Sequence, residues 1–143
     1  MEHVAIMRKS WGLLPKILKG EKKIESRWYK NKSVPWNKIK EGEIVYFKNS
    51  GEPVTLKTEV SKVLQFSDLN PNKVREILEK YGQKDGLGID QLGNYYQIFK
   101  NKKYCILIFL KNPQKIKPFG INKKGFGLMS AWITTRSIKK RRE

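Results

Sequence analysis

The sequence is poor in the side chains that build disulfides, metal centres and catalytic triads. Its 143 residues include one cysteine, Cys105, and one histidine, His3. A lone cysteine excludes an internal disulfide and a multi-cysteine metal site, and its apolar, strand-like surroundings favour a buried structural thiol over a nucleophile. A histidine so close to the first residue is poorly placed for a Ser-His-Asp triad or a multi-histidine centre. We therefore expect neither a metal site nor a cofactor.

Long apolar runs are also absent. No segment approaches the ~20 residues that cross a bilayer, and the first residues lack the basic and apolar regions of a signal peptide. Hydrophobic residues make up 38% of the chain and charged residues 31%, which suits one globular domain with a polar surface. We expect a cytoplasmic protein with no membrane partner. A monomer is favoured, although the sequence leaves the oligomeric state open.

Negative charge is scarce, and this shortage is the most informative one. Thirty-one Lys and Arg residues face 13 Asp and Glu residues, for a formal net charge of +18. Such a field attracts polyanions, and a pI of about 10.0 is typical of nucleic-acid-binding domains. Lysine is also common beside Ile, Asn and Tyr here, a mix that a biased genome alone can produce. Between these alternatives we favour a nucleic-acid partner. A membrane surface is disfavoured because no long basic amphipathic helix with an aromatic face is evident.

Periodicity and turn residues divide the chain into short strands and helices. Ser10 is expected to cap a helix over residues 11–19 that Gly20 ends. Asn70-Pro71 begins a second, amphipathic helix. Segments with strand character are 3–7, 22–29, 43–48, 54–66 (with a bulge or bend between Val60 and Val63), 104–110 and 131–135. Residues 89–99 remain ambiguous. This order predicts an α+β protein with a small, bent, barrel-like sheet and two or three helices outside it. The domain spans residues 1–136, and 137–143 form a basic tail that we expect to fray.

The densest charge lies between the first helix and the next strand. Residues 20–27 read G-E-K-K-I-E-S-R. Alternation along the strand places Glu25 and Arg27 on one face, and Ser26 and Trp28 on the other. Trp28 is expected in the core. The charged groups admit two interpretations: a partly exposed ion-pair network, in which each pair contributes only about 0–1 kcal/mol, or a partly buried functional cleft.

The helix, glycine and charged strand together resemble the ASCH family of the PUA-like superfamily. The signature of that family is a helix ending in Gly-x-Lys-x-x-Glu/Thr-x-Arg, followed later by a Gly-Asp/Glu pair that opens a strand. The matching residues here are Gly20, Lys22, Glu25 and Arg27, then Gly42 and Glu43. The resemblance covers the first two-thirds of the chain and continues through residues 104–110. It implies a PUA-like bent β-barrel of five to seven mixed strands with two or three flanking helices.

The resemblance also implies an RNA-associated role, because PUA-like domains commonly bind RNA or accommodate a single base. We therefore expect an RNA- or nucleotide-binding domain that holds a single-stranded segment or a splayed base in a basic cleft. Recognition of unpaired bases by stacking and edge contacts is the usual mode of sequence-specific RNA binding. The residues assigned to nucleic-acid binding are Lys22, Arg27, Trp36, Lys38, Lys123 and Lys124.

The alternative that the resemblance implies is a metal-independent hydrolase. Some small bacterial ASCH proteins are amidohydrolases acting on acylated cytidine, and another branch is described as ribonuclease-like. In the amidohydrolases the motif lysine activates a threonine three residues on, and a loop carboxylate assists. Lys22 matches that lysine and Asp85 aligns loosely with the carboxylate, but Glu25 occupies the threonine position and Ser26 should point to the other face.

Catalysis would then rest on Lys22 with Glu25 and Asp85 as acid–base partners. Burial would lower the pKa of Lys22 while the carboxylates raise it, and a lysine shifted to roughly 7–8 is a usable general base. Because the hydroxyl nucleophile of the amidohydrolases is missing at the matching position, binding is favoured over catalysis. The partner is accordingly expected to be RNA or a modified nucleoside.

Overall fold

The fold is built on one mixed sheet of six strands. The computed structural model describes residues 1–127 and 129–143. In this part of the chain the strand order is β2-β5-β4-β3-β1-β6, with β1 parallel to β3 and all other neighbours antiparallel. The sheet curls into a half-barrel. The strands are β1 (Glu2–Met7), β2 (Ile24–Tyr29), β3 (Ile44–Asn49), β4 (Val54–Phe66), β5 (Tyr104–Phe119) and β6 (Trp132–Thr135).

Three helices flank this sheet: α1 (Leu13–Leu18), α2 (Pro71–Tyr81) and α3 (Leu92–Phe99). Together with the six mixed strands they confirm the predicted α+β class and the bent, barrel-like sheet. None of the helices in the described residues is long and apolar enough to span a membrane.

The first helix begins later than the sequence predicts. Ser10 lies in a short 3-10 turn, Lys9–Trp11, and does not cap α1. Gly12 stands between the turn and the helix with φ of +62°, a left-handed conformation that glycine adopts at no steric cost and that interrupts helical hydrogen bonding. The predicted helix start at residue 11 is therefore wrong, because the left-handed conformation of Gly12 delays the helix to Leu13.

The second helix and the ambiguous segment after it form the outer layer. The Asn70 side chain accepts a hydrogen bond from the Lys73 backbone N–H at 2.9 Å and Pro71 follows it, as the sequence predicts for a helix start. Residues 89–99 resolve into a 3-10 turn and α3. Tyr95 and Phe99 are four residues apart and share the inward face of α3.

The two long strands β4 and β5 form the spine of the sheet. β4 has the predicted bounds, and its register shifts between Val60 and Lys62, where the alternation slips. β5 runs to Phe119, well beyond the predicted 104–110, because its second half continues to pair with β4 after its side chains become exposed. Cys105 on β5 is fully buried, and burial raises the pKa of its thiol. The burial that the sequence predicts for this cysteine is confirmed.

Apolar side chains cover both faces of the sheet. On one side Phe47 and Ile106 pack with Ile17 of α1. On the other side Trp28 and Leu107 pack with the inner faces of α2 and α3. Trp28 is 8% exposed, so its expected core position is confirmed. β2 contributes side chains to both layers, Tyr29 to the first and Trp28 to the second.

The expectation that residues 137–143 fray is wrong. Ile138 is 1% exposed, and its backbone N–H donates to Glu2 Oε1 at 2.8 Å. Arg142 forms a β-bridge with Ile121. A buried isoleucine and these hydrogen bonds hold the basic segment against the domain.

Replacing Ile138 by alanine tests this anchoring. We expect Ile138→Ala to lower the free energy of unfolding by about 2–5 kcal/mol, the usual cost of truncating a buried aliphatic side chain. The measurement is urea denaturation. The matched control is Ile89→Ala, because Ile89 is 78% exposed and its truncation should change stability little. Equal stability of Ile138→Ala and wild type would show that the segment frays after all.

Candidate functional site

A cleft of about 280 Å³ opens beside β2. β2 is an edge strand, hydrogen-bonded to β5 on one side only, so residues from both of its faces can reach the space beside its free edge. The walls come from the end of β1 and the segment after it, from α1, from the loop after α2, from α3 and from the residue preceding β6. The lining includes Met7, Arg8, Trp11, Lys22, Glu25, Ser26, Arg27, Trp28, Asp85, Tyr95, Phe99 and Ala131.

The ammonium group of Lys22 lies at the floor of this cleft. Lys22 is 2% exposed. Its Nζ donates to the backbone oxygens of Ile24 and Asp85, both at 2.7 Å, and to Asp85 Oδ1. Glu25 Oε1 is 3.2 Å away. An ammonium has three N–H donors, and the two backbone oxygens and Asp85 Oδ1 use all of them.

Asp85 reaches Lys22 because the chain turns sharply after α2. The Asp85 backbone N–H donates to Tyr81 O at 3.0 Å, which continues the helix into a tight turn. The next residue, Gly86, has φ of +82°, and a Cβ there would lie 3.2 Å from Lys22 Cβ. Lys84 O accepts from the backbone N–H of Ile24 at 3.0 Å. The loop therefore packs directly on the start of β2, and glycine at position 86 permits the close approach.

Arg27 pairs with Glu25 on the same face of β2, as the alternation predicts. Arg27 Nη2 and Nε donate to Glu25 Oε2 at 2.8 and 3.1 Å. The guanidinium carbon lies 5.2 Å from the centre of the Trp132 ring, and Nη1 donates to Ala131 O at 3.3 Å. Glu25 thus forms ion pairs with both Lys22 and Arg27. Arg27 extends this network across the cleft to Ala131 and Trp132.

Ser26 belongs to the site although it points to the other face of β2, as the sequence predicts. It faces away from Glu25, as alternation requires, but the loop after α2 packs on that face. The Ser26 hydroxyl donates to Asp85 Oδ2 and accepts a hydrogen bond from Trp28 Nε1 at 3.1 Å. Strand periodicity predicts the direction of this side chain correctly, but it says nothing about a distant loop that closes over that face.

The ion network shifts the pKa values of its members in different directions. Burial disfavours the charged form of Lys22, but the facing carboxylates of Asp85 and Glu25 outweigh it, so its pKa lies above the usual 10.5. Burial would raise the pKa of Glu25, but Lys22 and Arg27 together lower it below 4.5. For Asp85, burial prevails over Lys22 and the pKa is raised. The expectation of a lysine shifted towards neutrality, able to act as a general base, is therefore wrong.

A ladder of aromatic rings forms the apolar wall of the cleft. The Trp28 and Phe99 rings stack with centres 4.8 Å apart and planes inclined by 8°. Tyr95 continues the stack on the other side of Phe99 at 6.1 Å. Trp11 is 47% exposed at the opening, and the Arg8 guanidinium carbon lies 5.3 Å from the centre of its ring. The cleft therefore combines flat apolar surfaces with guanidinium groups.

The structure brings together only some of the residues assigned from the sequence. Lys22, Glu25, Arg27 and Asp85 converge, and all four line the cleft. Trp36 instead packs edge to face on Tyr104, with ring centres 5.2 Å apart. The remaining assigned residues outside the cleft lining are Lys38, Lys123 and Lys124.

The lining residues that the sequence did not assign to the site include Arg8, Ser26, Tyr95 and Phe99. The four-residue spacing of Tyr95 and Phe99 offered a signal for one aromatic helix face. Ser26 offered no such signal, because its contact with Asp85 joins residues far apart in the sequence. Among the described residues no group of three or more His, Cys, Asp or Glu side chains is arranged to hold a metal ion.

The curled mixed sheet with three outer helices and a cleft beside the motif strand is similar in fold to solved ASCH structures. The crystal structure of ASCH from Zymomonas mobilis matches 97% of this chain and 90% of its own, with a TM-score of 0.68 and 16% identity. A serine-to-alanine mutant of that protein matches equally, with a TM-score of 0.68, 17% identity and coverage of 97% and 91%.

A third solved structure, hypothetical protein PH0355, matches 81% of this chain and all of its own, with a TM-score of 0.53 and 23% identity. No protein-family model matches the sequence, and no curated protein matches it. At these identities the likeness shows the fold alone, and at that level it confirms the resemblance to ASCH domains.

Replacing Glu25 by glutamine tests the buried network. Glu25→Gln removes the carboxylate between two cations, and we expect a loss of about 3–5 kcal/mol in unfolding free energy at pH 7. The folded pKa of Glu25 lies below 4.5, so the stability it contributes is present above pH 4.5 and is lost as pH falls through the folded value. The difference between wild type and variant should therefore narrow below pH 4.5 in urea titrations.

The control for this substitution is Glu76→Gln. Glu76 forms an exposed pair with Lys73 at 3.8 Å, and its loss should change stability by less than about 0.5 kcal/mol. A Glu25→Gln variant as stable as Glu76→Gln would contradict the role given to the buried ion network.

Proposed function

We propose that this protein binds RNA or a nucleotide and that the cleft beside β2 holds one unpaired base. The observation that carries the proposal is the pairing of the aromatic ladder of Trp28, Phe99 and Tyr95 with the Glu25-bound guanidinium of Arg27 in one cavity. Flat rings accept the faces of bases, and a guanidinium recognises phosphate or a base edge. The ASCH-like fold and the net charge of +18 support the same conclusion.

The size of the cleft favours a single base over a folded or double-stranded ligand. Its volume of about 280 Å³ is just below the volumes of about 300–1,000 Å³ that are common for ligand sites. Single-stranded RNA presents bases that can leave the stack and insert into such cavities, whereas a duplex does not. Trp11, half-exposed at the opening, is placed to stack on the inserted base or on its neighbour.

Within this proposal the cations have different tasks. The three donors of Lys22 are already taken by Ile24 and Asp85, so Lys22 orders the floor and supplies positive potential without contacting the ligand. Arg27 and Arg8 line the open part of the cleft. Arg27 already donates to Glu25, Ala131 and Met7, which leaves one Nη1 N–H for a ligand, so the phosphate or the base edge is assigned mainly to Arg8.

Removing Trp11 tests the stacking. We expect Trp11→Ala to weaken binding of a single-stranded RNA trinucleotide by about 1–3 kcal/mol, the usual value for one base–aromatic stack. Isothermal titration calorimetry measures the loss. The comparison is Trp36→Ala, which removes a tryptophan outside the cleft. A larger loss in Trp36→Ala than in Trp11→Ala would place the base elsewhere and contradict the proposal.

A second candidate is a metal-independent hydrolase acting on acylated cytidine or on RNA, and the hydrogen bond from Ser26 to Asp85 favours it. In an amidohydrolase step, Asp85 would accept the Ser26 proton while Ser26 Oγ attacks the acyl carbon. The proton would then pass to the departing amine, and water would hydrolyse the acyl-serine. Burial raises the pKa of Asp85, which makes its carboxylate a stronger base, and Lys22 remains a fixed charge beside it.

The hydrolase candidate is tested with Ser26→Ala. If the protein releases acetate from N4-acetylcytidine, Ser26→Ala should reduce kcat by at least about 10³-fold while leaving KM within a few-fold, because the hydroxyl acts only in the chemical step. Ser61→Ala, which removes a hydroxyl bonded to Phe109 O elsewhere in the sheet, is the control. Unchanged turnover in Ser26→Ala would exclude Ser26 as the nucleophile.

A further inference from the structure

A second concentration of positive charge lies where the C-terminal segment packs against the domain. Residues 120–127 and 137–143 contain six Lys or Arg residues and one acidic residue, Glu143. The segments are held together by the Asn122 N–H donating to Arg141 O at 2.7 Å and the Glu143 N–H donating to Gly120 O at 2.9 Å. We call Lys48, Lys123, Lys124, Arg141 and Arg142 the C-terminal basic patch.

Two arginines of this patch lie over aromatic rings. The guanidinium carbon of Arg142 lies 4.0 Å from the centre of the Phe119 ring, and that of Arg141 lies 4.7 Å from the centre of the Phe126 ring. Arg141 Nη1 also donates to Lys124 O at 3.2 Å. A guanidinium ordered in this way loses little conformational freedom on binding, and its donor edge suits phosphate oxygens. These arginines are therefore better prepared for a polyanion than ordinary surface lysines are.

The patch shares a wall with the cleft. Lys48 on β3 is the register partner of Ile6 on β1, and Ile6 lines the cleft. Lys123 Nζ donates to Ser130 O at 3.0 Å, and the next residue, Ala131, lines the cleft and accepts from Arg27. Burial and the charge of Lys123 lower the pKa of Lys48, and the carboxylate of Glu143 opposes this shift.

We propose that the cleft and the C-terminal basic patch form one track for single-stranded nucleic acid, so that the ligand is an oligonucleotide whose phosphates leave the cleft along this wall. This inference rests on the proposed function of the cleft and extends it from one base to a polymer. A positively charged groove that follows the backbone, combined with aromatic surfaces for bases, is the usual construction of single-strand binders. The positions of phosphates, rather than base identity, would determine contacts at the patch.

The test compares a single-stranded RNA 12-mer with a trinucleotide, using wild type and Arg141→Gln/Arg142→Gln in fluorescence anisotropy at about 100 mM KCl. We expect the double variant to bind the 12-mer about 10-fold more weakly. The slope of log K against log salt should fall by about 1.4, since each contact to a single strand contributes about 0.7. Trinucleotide binding should be unchanged.

The matched control is Lys62→Gln/Lys80→Gln. These exposed lysines also lie over aromatic rings, at 5.3 Å from the centres of the Phe109 and Tyr81 rings, but away from the cleft. This control variant removes the same amount of positive charge. If the phosphates follow the patch, its affinity for the 12-mer should fall by less than about 3-fold. Equal losses of 12-mer affinity in the two double variants, or no loss in Arg141→Gln/Arg142→Gln, would contradict the proposed track.

The outcomes also separate the track from the function of the cleft. If wild type binds the trinucleotide and gains no affinity for the 12-mer, the track is wrong and the cleft proposal stands. If neither RNA binds, the cleft proposal fails and the track fails with it. Tighter binding of a poly-glutamate peptide than of the 12-mer would instead identify the patch as a docking surface for an acidic protein.

Discussion

The buried charge of Lys22 is the constraint on which the site depends. An ammonium removed from water is costly unless its donors are paired. Here the partners come from β2 and from the loop after α2, so pairing fixes that loop against the strand. Asp85 and Glu25 then turn their second oxygens to Ser26 and Arg27. One desolvated cation thus determines the positions of two carboxylates, a hydroxyl and a guanidinium.

This arrangement separates the group that organises the cleft from the groups that can meet a ligand. Lys22 is saturated and stays charged because its pKa is raised, so neither free donors nor a neutral amine is available. Contact with an anionic or aromatic ligand falls to Arg27, Arg8 and the rings around them. The edge position of β2 makes this possible, since no further strand within residues 1–127 and 129–143 covers its free side. A cleft beside an edge strand also uses residues from both of its faces, Glu25 and Ser26 among them.

Local patterns predicted much of the fold and part of the site. Alternation and turn residues located β4 with its bounds and the Asn70 start of α2, and the motif residues Lys22, Glu25 and Arg27 indeed meet. The errors have a common physical origin. Gly12 displaced the start of α1 by adopting a left-handed conformation, and Ser26 and Ile138 owe their positions to contacts with segments far along the chain. The pKa of Lys22 depended on how closely two carboxylates would approach it, which spacing in sequence does not determine.

The central claim is that an unpaired base occupies the cleft, and the four tryptophans give a direct measurement of it. Their indole N–H signals can be followed by NMR while a single-stranded RNA trinucleotide is added. Trp28 and Trp11 line the cleft, whereas Trp36 packs on Tyr104 outside it. If a base occupies the cleft, the Trp11 and Trp28 indole signals should shift saturably and the Trp36 indole signal should not shift. Shifts confined to Trp36, or no shift at any indole at saturating RNA, would contradict it.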